Sequence, residues 1–253
     1  GLGDVYKRQV LYRSNAQSRA IEEALLRVSI PYRIYGGLRF YERLEIKNAI
    51  SYLRIIFNNN DNPSFERSIS NPTRGVGEKT LAKIRNAAKQ YNISYIKASA
   101  KLIDEGKISG RGGSGLKDYL EFIAGCKGFI EENSLSVLME LIIKETGLYA
   151  YHAKEAGEKG KTRTENLEEL ITATKNFEQS IKDERTNIEI AESYLDIISL
   201  DSGDRQASEH DDAAQLMTMH SAKGLEFKLV LLTGLEESLF PHGRSMELSL
   251  IHI

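Results

Sequence analysis

The spacing of apolar residues changes along the chain from short runs to helical periods and back again. Short apolar runs at Val10–Tyr12 and Tyr32–Tyr35 predict two strands, and two more are predicted at Leu216–Met219 and Leu229–Thr233. The residues between the second and third strands show helical spacing and few strand signals. We therefore expect both ends of the chain to contribute strands to one sheet, although almost two hundred residues separate the two pairs.

The helical stretch is divided by polar and glycine-rich segments. A short helix with its apolar face at Ile21–Val28 is followed, after the Gly36-Gly37 turn, by a strongly amphipathic one from about Glu42 to Phe57. Six further helices are predicted at Glu78–Gln90, Tyr95–Asp104, Leu116–Ile130, Ser136–Glu145, Arg163–Ile181 and Ile188–Leu200. Three segments are predicted as a linker, a flexible connector and a mobile loop, namely Asn58–Pro63, Ser109–Gly115 and Asp201–Asp212.

This layout predicts an α/β fold that is helix-dominated overall, with a large all-helical subdomain inserted into the sheet-bearing domain. We expect residues 10–59 and 213–247 to form the α/β domain and residues 60–212 to form the insert. The two ends, residues 1–9 and 248–253, show no clear pattern. They are interpreted as scars of cloning or assembly, the alternative being ordinary frayed termini.

Composition and charge narrow the function classes. The 253 residues and 28.4 kDa correspond to one large or two modest domains, and the net charge of -2 excludes a generally basic nucleic-acid binder. Any contact with DNA or RNA must therefore come from a local basic patch. The single cysteine, Cys126, excludes a disulfide framework and a cysteine-rich zinc site, and it is expected to be a packing residue. Without a long apolar run or a signal peptide, we expect a soluble cytoplasmic protein.

Candidate chemistry is densest between the last two predicted strands. The loop that follows the Leu216–Met219 strand carries His220, Ser221 and Lys223, which can donate to phosphate. Glu226 offers a carboxylate acceptor suited to ribose hydroxyls. Loops at the carboxyl ends of strands line the ligand crevice of open α/β sheets. On spacing alone, a structural hairpin with surface charges is at least as good an interpretation.

A second candidate is the glycine loop, which we define as residues 71–80 in the helical stretch. Its Gly75-Val76-Gly77 sequence would let backbone N–H groups approach a phosphate at the N-terminus of a helix. Two acidic residues accompany six basic ones between Glu66 and Gln90, namely Arg67, Arg74, Lys79, Lys83, Arg85 and Lys89. The alternative is a glycine cap that joins two helices.

Two further patterns are set aside. Gly160-Lys161-Thr162 looks like the end of a phosphate-binding P-loop, but the first glycine that this motif needs would fall at Glu155. This segment is instead predicted to be a basic loop before the next helix. The histidines are scattered without metal-ligand spacing, so no metal site is expected.

Four segments carry a family resemblance. His220–Phe227 closely resembles motif V of the UvrD/PcrA/Rep group of superfamily 1 DNA helicases. Leu11–Arg19, Tyr35–Lys47 and Glu165–Leu170 are similar to segments of the same group. The resemblance runs in family order from about Val10 to His242. It implies a partial RecA-like parallel sheet of the P-loop NTPase type, interrupted by the helical accessory subdomain.

The resemblance also implies roles for individual residues. Contacts with single-stranded DNA fall on Arg13, Asn15, Thr218 and His220. For His220 the competing role is a relay between the nucleotide and the DNA. Glu226 corresponds to the carboxylate that accepts from the ribose of ATP. Contacts with duplex DNA fall on Lys47, Gly75, Gly77, Lys79 and Thr80.

The function implied by the resemblance is that of an ATP-dependent helicase that moves 3′ to 5′ on single-stranded DNA and unwinds duplex in repair or replication. ATP and Mg²⁺ would be cofactors of a longer parent protein, and its partners would be both forms of DNA together with repair or replication proteins, without a membrane. The P-loop lysine, the Mg²⁺-binding acids and the arginine finger are absent from these 253 residues. We therefore expect no catalytic residue here, no stably bound cofactor and no ATPase activity of the chain alone. Two alternatives are a subunit of a related nuclease-helicase and a non-catalytic module that binds duplex DNA or a repair partner.

Overall fold

A computed structural model describes residues 9–203 and 213–235. The chain divides into two compact units. Among the described residues, the first comprises residues 9–43, 202–203 and 213–235, and the second is Leu44–Asp201. The predicted domain boundary at residues 59 and 60 therefore lies one helix later than the boundary between these units.

The first unit contains one parallel sheet. Its strands are β1 (Gln9–Tyr12), β2 (Tyr32–Ile34), β3 (Ala214–Thr218) and β4 (Val230–Leu232), in the order β2-β3-β1-β4. In the register, Leu216 lies opposite both Val10 and Ile34. This confirms that the four predicted strands join one sheet. Gln9, which the sequence analysis placed in a terminal scar, is instead a fully buried residue of β1.

One face of this sheet carries the apolar core of the first unit. Five buried residues form the core, namely Val10, Tyr12, Tyr32, Ile34 and Leu216. Helix α1 (Ser18–Arg27) packs against it through Ile21, Leu25 and Leu26. Because all four strands are parallel, their carboxyl ends meet at one edge of the sheet. The segments that leave this edge contain most of the predicted single-strand contacts.

A buried polar cluster fixes the segment after β1. The Arg43 guanidinium donates to the carbonyl of Asn15 at 2.9 Å and to Ser18 Oγ at 2.6 Å. Ser18 in turn donates to the Glu22 carboxylate, which also accepts the N–H of Phe40. Burial raises the pKa of Glu22, and these hydrogen bonds together with Arg43 oppose that rise. The cluster ties the 3₁₀ turn Asn15–Gln17 to the 3₁₀ turn Phe40–Glu42.

Within its described residues the second unit is helical. The helices are α2 (Leu44–Phe57), α3 (Asn62–Ser70), α4 (Glu78–Tyr91), α5 (Tyr95–Asp104), α6 (Gly110–Glu132), α7 (Leu135–Glu145), α8 (Leu148–Ala153), α9 (Glu158–Ser180) and α10 (Asn187–Gly203). Helix α2 is central, because it contacts α3, α6, α7 and α9. Its predicted apolar face at Ile46, Ile50 and Leu53 is buried. This packing places α2 in the helical unit rather than with the sheet.

Two segments that were predicted as a linker and a loop contain helix. Helix α3 begins inside the predicted Asn58–Pro63 linker, because the Asp61 carboxylate accepts the N–H of Ser64 at 3.0 Å and caps the first turn. The predicted loop at Gly160–Thr162 lies inside α9. A Cβ at Gly160 would lie 2.8 Å from the carbonyl oxygen of His152, so this glycine permits a close helix contact.

The predicted connector Ser109–Gly115 is also wrong. Helix α6 begins at Gly110 and includes the glycines of this segment. Gly112 and Gly115 lie against the glycine loop, where a Cβ at Gly112 would be 2.9 Å from the carbonyl oxygen of Gly75. A run of glycines here indicates close backbone packing rather than flexibility. Residues 201–203 of the predicted mobile loop end α10, while the rest of that loop and most of both terminal segments lie outside the described residues.

Cys126 packs inside the second unit, and its reactivity provides a test. The residue is 2% exposed, and burial raises its pKa to about 12. Since the thiolate is the reactive form, we expect the native thiol to react about a thousandfold more slowly with a disulfide reagent at pH 8 than the thiol of the unfolded chain. The comparison is the reaction rate with and without denaturant. Equal rates would show that Cys126 is accessible in the native protein.

Candidate nucleic-acid interface

Two predicted single-strand contacts meet at the carboxyl edge of the sheet. Arg13 follows β1 and His220 follows β3, and the Arg13 NH1 atom lies 3.1 Å from His220 Nδ1. The same NH1 atom lies 3.4 Å from His220 Nε2, and since an arginine can only donate, the imidazole accepts in this contact. The contact is exposed, although 207 residues separate its partners. We call Arg13 and His220 the sheet-edge pair.

Thr218 and Ser221 shape the loop that carries His220. The Thr218 hydroxyl accepts the backbone N–H of Ser221 at 3.1 Å, and the two hydroxyl oxygens lie 2.9 Å apart. The backbone N–H of Met219 donates to the carbonyl of Tyr12, which extends the pairing of β3 with β1 beyond the last strand residue. These bonds hold the loop close to the end of β1. They also fix the Thr218 hydroxyl at the start of the loop that carries His220.

The segment after β1 is fixed by side-chain hydrogen bonds to its backbone. The Gln17 side-chain oxygen accepts the N–H groups of Arg13 and Ser14, at 2.8 and 3.0 Å. The Asn15 carbonyl accepts from Arg43, while the Asn15 side chain has no hydrogen-bond partner among the described residues. The backbone is therefore held in place, and the side chains of Arg13 and Asn15 remain available to a ligand.

Glu226 makes no hydrogen bond or ion pair with the sheet-edge pair. The residue is exposed in the connection between β3 and β4, and its carboxylate has no hydrogen bond or ion pair in the part of the chain that the structure describes. A free carboxylate is a suitable acceptor for hydroxyl groups.

The glycine loop in the second unit is held from two sides. Gly75 has a φ of +75°, and a Cβ there would lie 3.0 Å from the Cγ atom of Arg111 in α6. On the other side, the Arg74 guanidinium donates to the carbonyls of Pro72 and Thr146, at 2.8 and 3.1 Å. The fold itself therefore requires glycine at position 75.

Gly77 differs from Gly75 in this respect. It is the N-cap of α4 with a φ of -94°, and a Cβ at this position would meet nothing within 4 Å. No side chain caps the helix, although the N–H of Thr80 donates to the carbonyl of Gly77 at 2.9 Å. The first N–H groups of α4, those of Glu78 and Lys79, point out of the helix end as unpaired helical donors do. The fold does not require glycine here, so the space in front of Gly77 is open to a ligand.

The cations around the glycine loop are less available than their number suggests. Arg85 is bound to the carboxylates of Glu66 and Glu78, and Arg74 is bound to carbonyl groups. Arg67 donates to Asn48 and Lys83 to the carbonyl of Lys107. Within the described residues, only Lys79 and Lys89 of the six counted cations have no such partner. The pairing with Arg85, which is shared with Glu66, offsets part of the charge of Glu78 that would repel a phosphate at the start of α4.

One cation beside the glycine loop was missed in the sequence. Arg111 is exposed and has no ion-pair partner among the described residues, and its side chain packs over Gly75. It was overlooked because its segment was interpreted as a connector. Lys47 is also exposed, on α2, but no hydrogen bond or ion pair in the described ranges joins it to the glycine loop.

The described residues contain neither a metal-binding cluster nor a membrane-spanning helix. Within residues 9–203 and 213–235, no three His, Cys, Asp or Glu side chains are arranged to hold a metal ion. In the same part of the chain, no helix has the length and hydropathy of a membrane span.

A single known protein family matches residues of both units. The sequence matches the UvrD-like helicase C-terminal domain over residues 3–108 and 122–252. The chain belongs to this family. The break in the match, residues 109–121, coincides with the glycine-rich start of α6 that packs on the glycine loop.

Curated relatives are similar over nearly the whole chain. DNA helicase II of Escherichia coli strain K12 is 46% identical over 238 residues, which are 94% of this chain and 33% of that protein. The ATP-dependent DNA helicase PcrA of Bacillus subtilis strain 168 is 38% identical over 239 residues, or 94% of this chain and 32% of that protein. This member of the UvrD-like family therefore spans about a third of the length of the relatives it matches.

Proposed function

We propose that this chain is the DNA-binding part of an ATP-dependent DNA helicase that moves 3′ to 5′ along one strand. In this proposal the first unit is part of the second RecA-like domain, and the helical unit is its accessory subdomain. The observation that carries the proposal is the sheet-edge pair, because two residues with predicted single-strand roles meet across two neighbouring strands. The DNA helicases named among the relatives support the same conclusion.

The sheet edge can bind single-stranded DNA without regard to its sequence. A guanidinium carries five N–H donors, and Arg13 uses NH1 for His220, so the others remain for phosphate oxygens. One of the Thr218 and Ser221 hydroxyls can donate to the same DNA backbone, because the other donates in the hydrogen bond between them. Groups that contact phosphates position a protein on DNA without reading its sequence, as movement along a strand requires.

In this proposal ATP would contact the chain at Glu226. Its free carboxylate fits the hydroxyls of a ribose, and no cluster of metal-binding side chains occurs among the described residues. Hydrolysis of bound ATP supplies the free energy for movement, and the residues that would carry it out are not in this sequence. In this proposal the chain holds one wall of the nucleotide site, and its own contribution is an orienting hydrogen bond to the sugar.

Duplex DNA would be held by the second unit. The open start of α4 at Gly77 presents backbone N–H groups, and Lys79 and Thr80 follow directly. Gly75 keeps the preceding turn in place, and Arg111 adds an exposed cation beside it. Lys47 remains a proposed contact on α2. These groups bind phosphates rather than bases, so we expect no preference for sequence.

The first test concerns single-stranded DNA. Replacing Arg13 with alanine removes a charge-assisted contact, so affinity for an oligo(dT) strand is expected to fall about tenfold. The slope of log K against log salt should flatten by about 0.7 for each lost phosphate contact. His220→Ala should also weaken binding, since it removes the partner that orients Arg13. Fluorescence anisotropy at several salt concentrations measures both quantities.

Arg27→Ala is the matched control, because Arg27 is an exposed arginine at the end of α1 with no ion pair among the described residues. It should bind like the parent chain. If Arg13→Ala and His220→Ala are folded and also bind like the parent, the sheet edge is not the single-strand site. If the chain binds only duplex, the non-catalytic binding module becomes the better description.

A further inference from the structure

Tyr35 lies at the carboxyl edge of the sheet and has no assigned role. It directly follows β2, and its backbone N–H donates to the carbonyl of Leu216 in β3 at 2.8 Å. The next residue, Gly36, has a φ of +75°, and a Cβ there would lie 3.5 Å from Ser221 Oγ. Ser221 is hydrogen-bonded to Thr218. Tyr35 is therefore fixed beside the same polar loop that carries one member of the sheet-edge pair.

The ring of Tyr35 is unused by the fold. The side chain is 46% exposed, whereas the tyrosines of the core, Tyr12 and Tyr32, are 1% and 3% exposed. Its hydroxyl has no hydrogen-bond partner within the described part of the chain. Side chains alternate across a strand, so Tyr35 faces away from the core in which the preceding residue, Ile34, is buried. The aromatic ring of Tyr35 is thus exposed, while its backbone is fixed by the hydrogen bond to Leu216.

We infer that Tyr35 is a stacking platform for a nucleobase of single-stranded DNA, an inference that rests on the proposed function. Single-strand sites combine cations that hold the phosphates with aromatic rings on which bases stack, and stacking tolerates any sequence because every base has a π-face. The sheet-edge pair supplies the first component and Tyr35 the second. The hydroxyl is not needed for stacking, so a phenylalanine serves equally well.

The test separates base stacking from phosphate binding. Tyr35→Ala should bind oligo(dT) about 5- to 150-fold more weakly than the parent chain, while Tyr35→Phe should bind like the parent. Binding of a fully abasic oligonucleotide of the same length should be equal for all three proteins. Tyr91→Ala is the matched control, since Tyr91 is 40% exposed in the second unit and its ring packs 4.6 Å from the Lys101 Nζ atom. It should bind oligo(dT) like the parent.

Parallel measurements on Arg13→Ala distinguish failure of the stacking inference from failure of the proposed single-strand site. If Arg13→Ala weakens binding while a folded Tyr35→Ala binds oligo(dT) like the parent, the stacking inference is wrong and the proposed single-strand site stands. If Tyr35→Ala loses the abasic strand as well, Tyr35 acts on the loop rather than on a base, and the inference is again wrong. If neither variant weakens binding, both fail. Circular dichroism of each variant establishes that it is folded.

Discussion

Arg74→Ala is expected to lower the free energy of unfolding of the helical unit by about 3 kcal/mol. The guanidinium donates to three carbonyls, those of Ser68, Pro72 and Thr146, and each hydrogen bond from a charged group is worth about 1.5–3 kcal/mol without being additive. It also lies over the rings of Tyr52 and Tyr119, at 5.4 and 5.8 Å from their centroids. Thermal unfolding followed by circular dichroism should show a midpoint lower by about 6–12 °C.

Arg85→Ala is the control for this prediction. Arg85 also makes three side-chain hydrogen bonds, but its partners are the carboxylates of Glu66 and Glu78 at the surface, where solvent screens the interaction. Its removal should shift the unfolding midpoint much less. Arg74→Lys should be intermediate, because one ammonium cannot reach three carbonyls in the fork geometry of a guanidinium. Equal midpoints for Arg74→Ala and Arg85→Ala would show that Arg74 does not hold the glycine loop.

The strands and the sheet edge were predictable because their signals are local. The runs around Val10, Tyr32 and Leu216 predict strands, and the rule that ligand loops lie at carboxyl ends predicts where the loop with His220 lies. The role of Arg13 was implied only by the family resemblance. The contact between these two side chains requires in addition that β1 and β3 be neighbours. That adjacency depends on strand order, which spacing along the sequence does not contain.

The glycines show what local reasoning misses. In the sequence, Gly112 and Gly115 look like a flexible connector, because residue type alone does not distinguish a glycine that permits close packing from one that permits bending. Glycine is needed at these two positions because the backbone of the glycine loop, about forty residues earlier in the chain, packs against them. Counting charges misleads in a similar way, since Arg74 and Lys79 count equally although one is bound to carbonyls inside and the other is exposed.

Gly77→Ser is expected to weaken duplex binding about tenfold while leaving the fold intact or slightly more stable. A Cβ at this position meets nothing, and serine is a better N-cap than glycine by a few tenths of a kcal/mol. Its hydroxyl would accept a backbone N–H at the start of α4 and occupy the space in front of it, so a phosphate would lose a charge-assisted hydrogen bond. Binding of a blunt hairpin duplex, measured by anisotropy against salt, tests this expectation.

The salt dependence separates this effect from the loss of a cation. Gly77→Ser keeps every charge, so its slope of log K against log salt should equal that of the parent, whereas Lys79→Ala should flatten the slope by about 0.9. Gly125→Ser is the matched control, because a Cβ at Gly125 in α6 also meets nothing and lies about 15 Å along the helix from Gly115. It should bind duplex like the parent chain. If Gly77→Ser and Lys79→Ala are folded and bind duplex as Gly125→Ser does, the glycine loop only connects two helices.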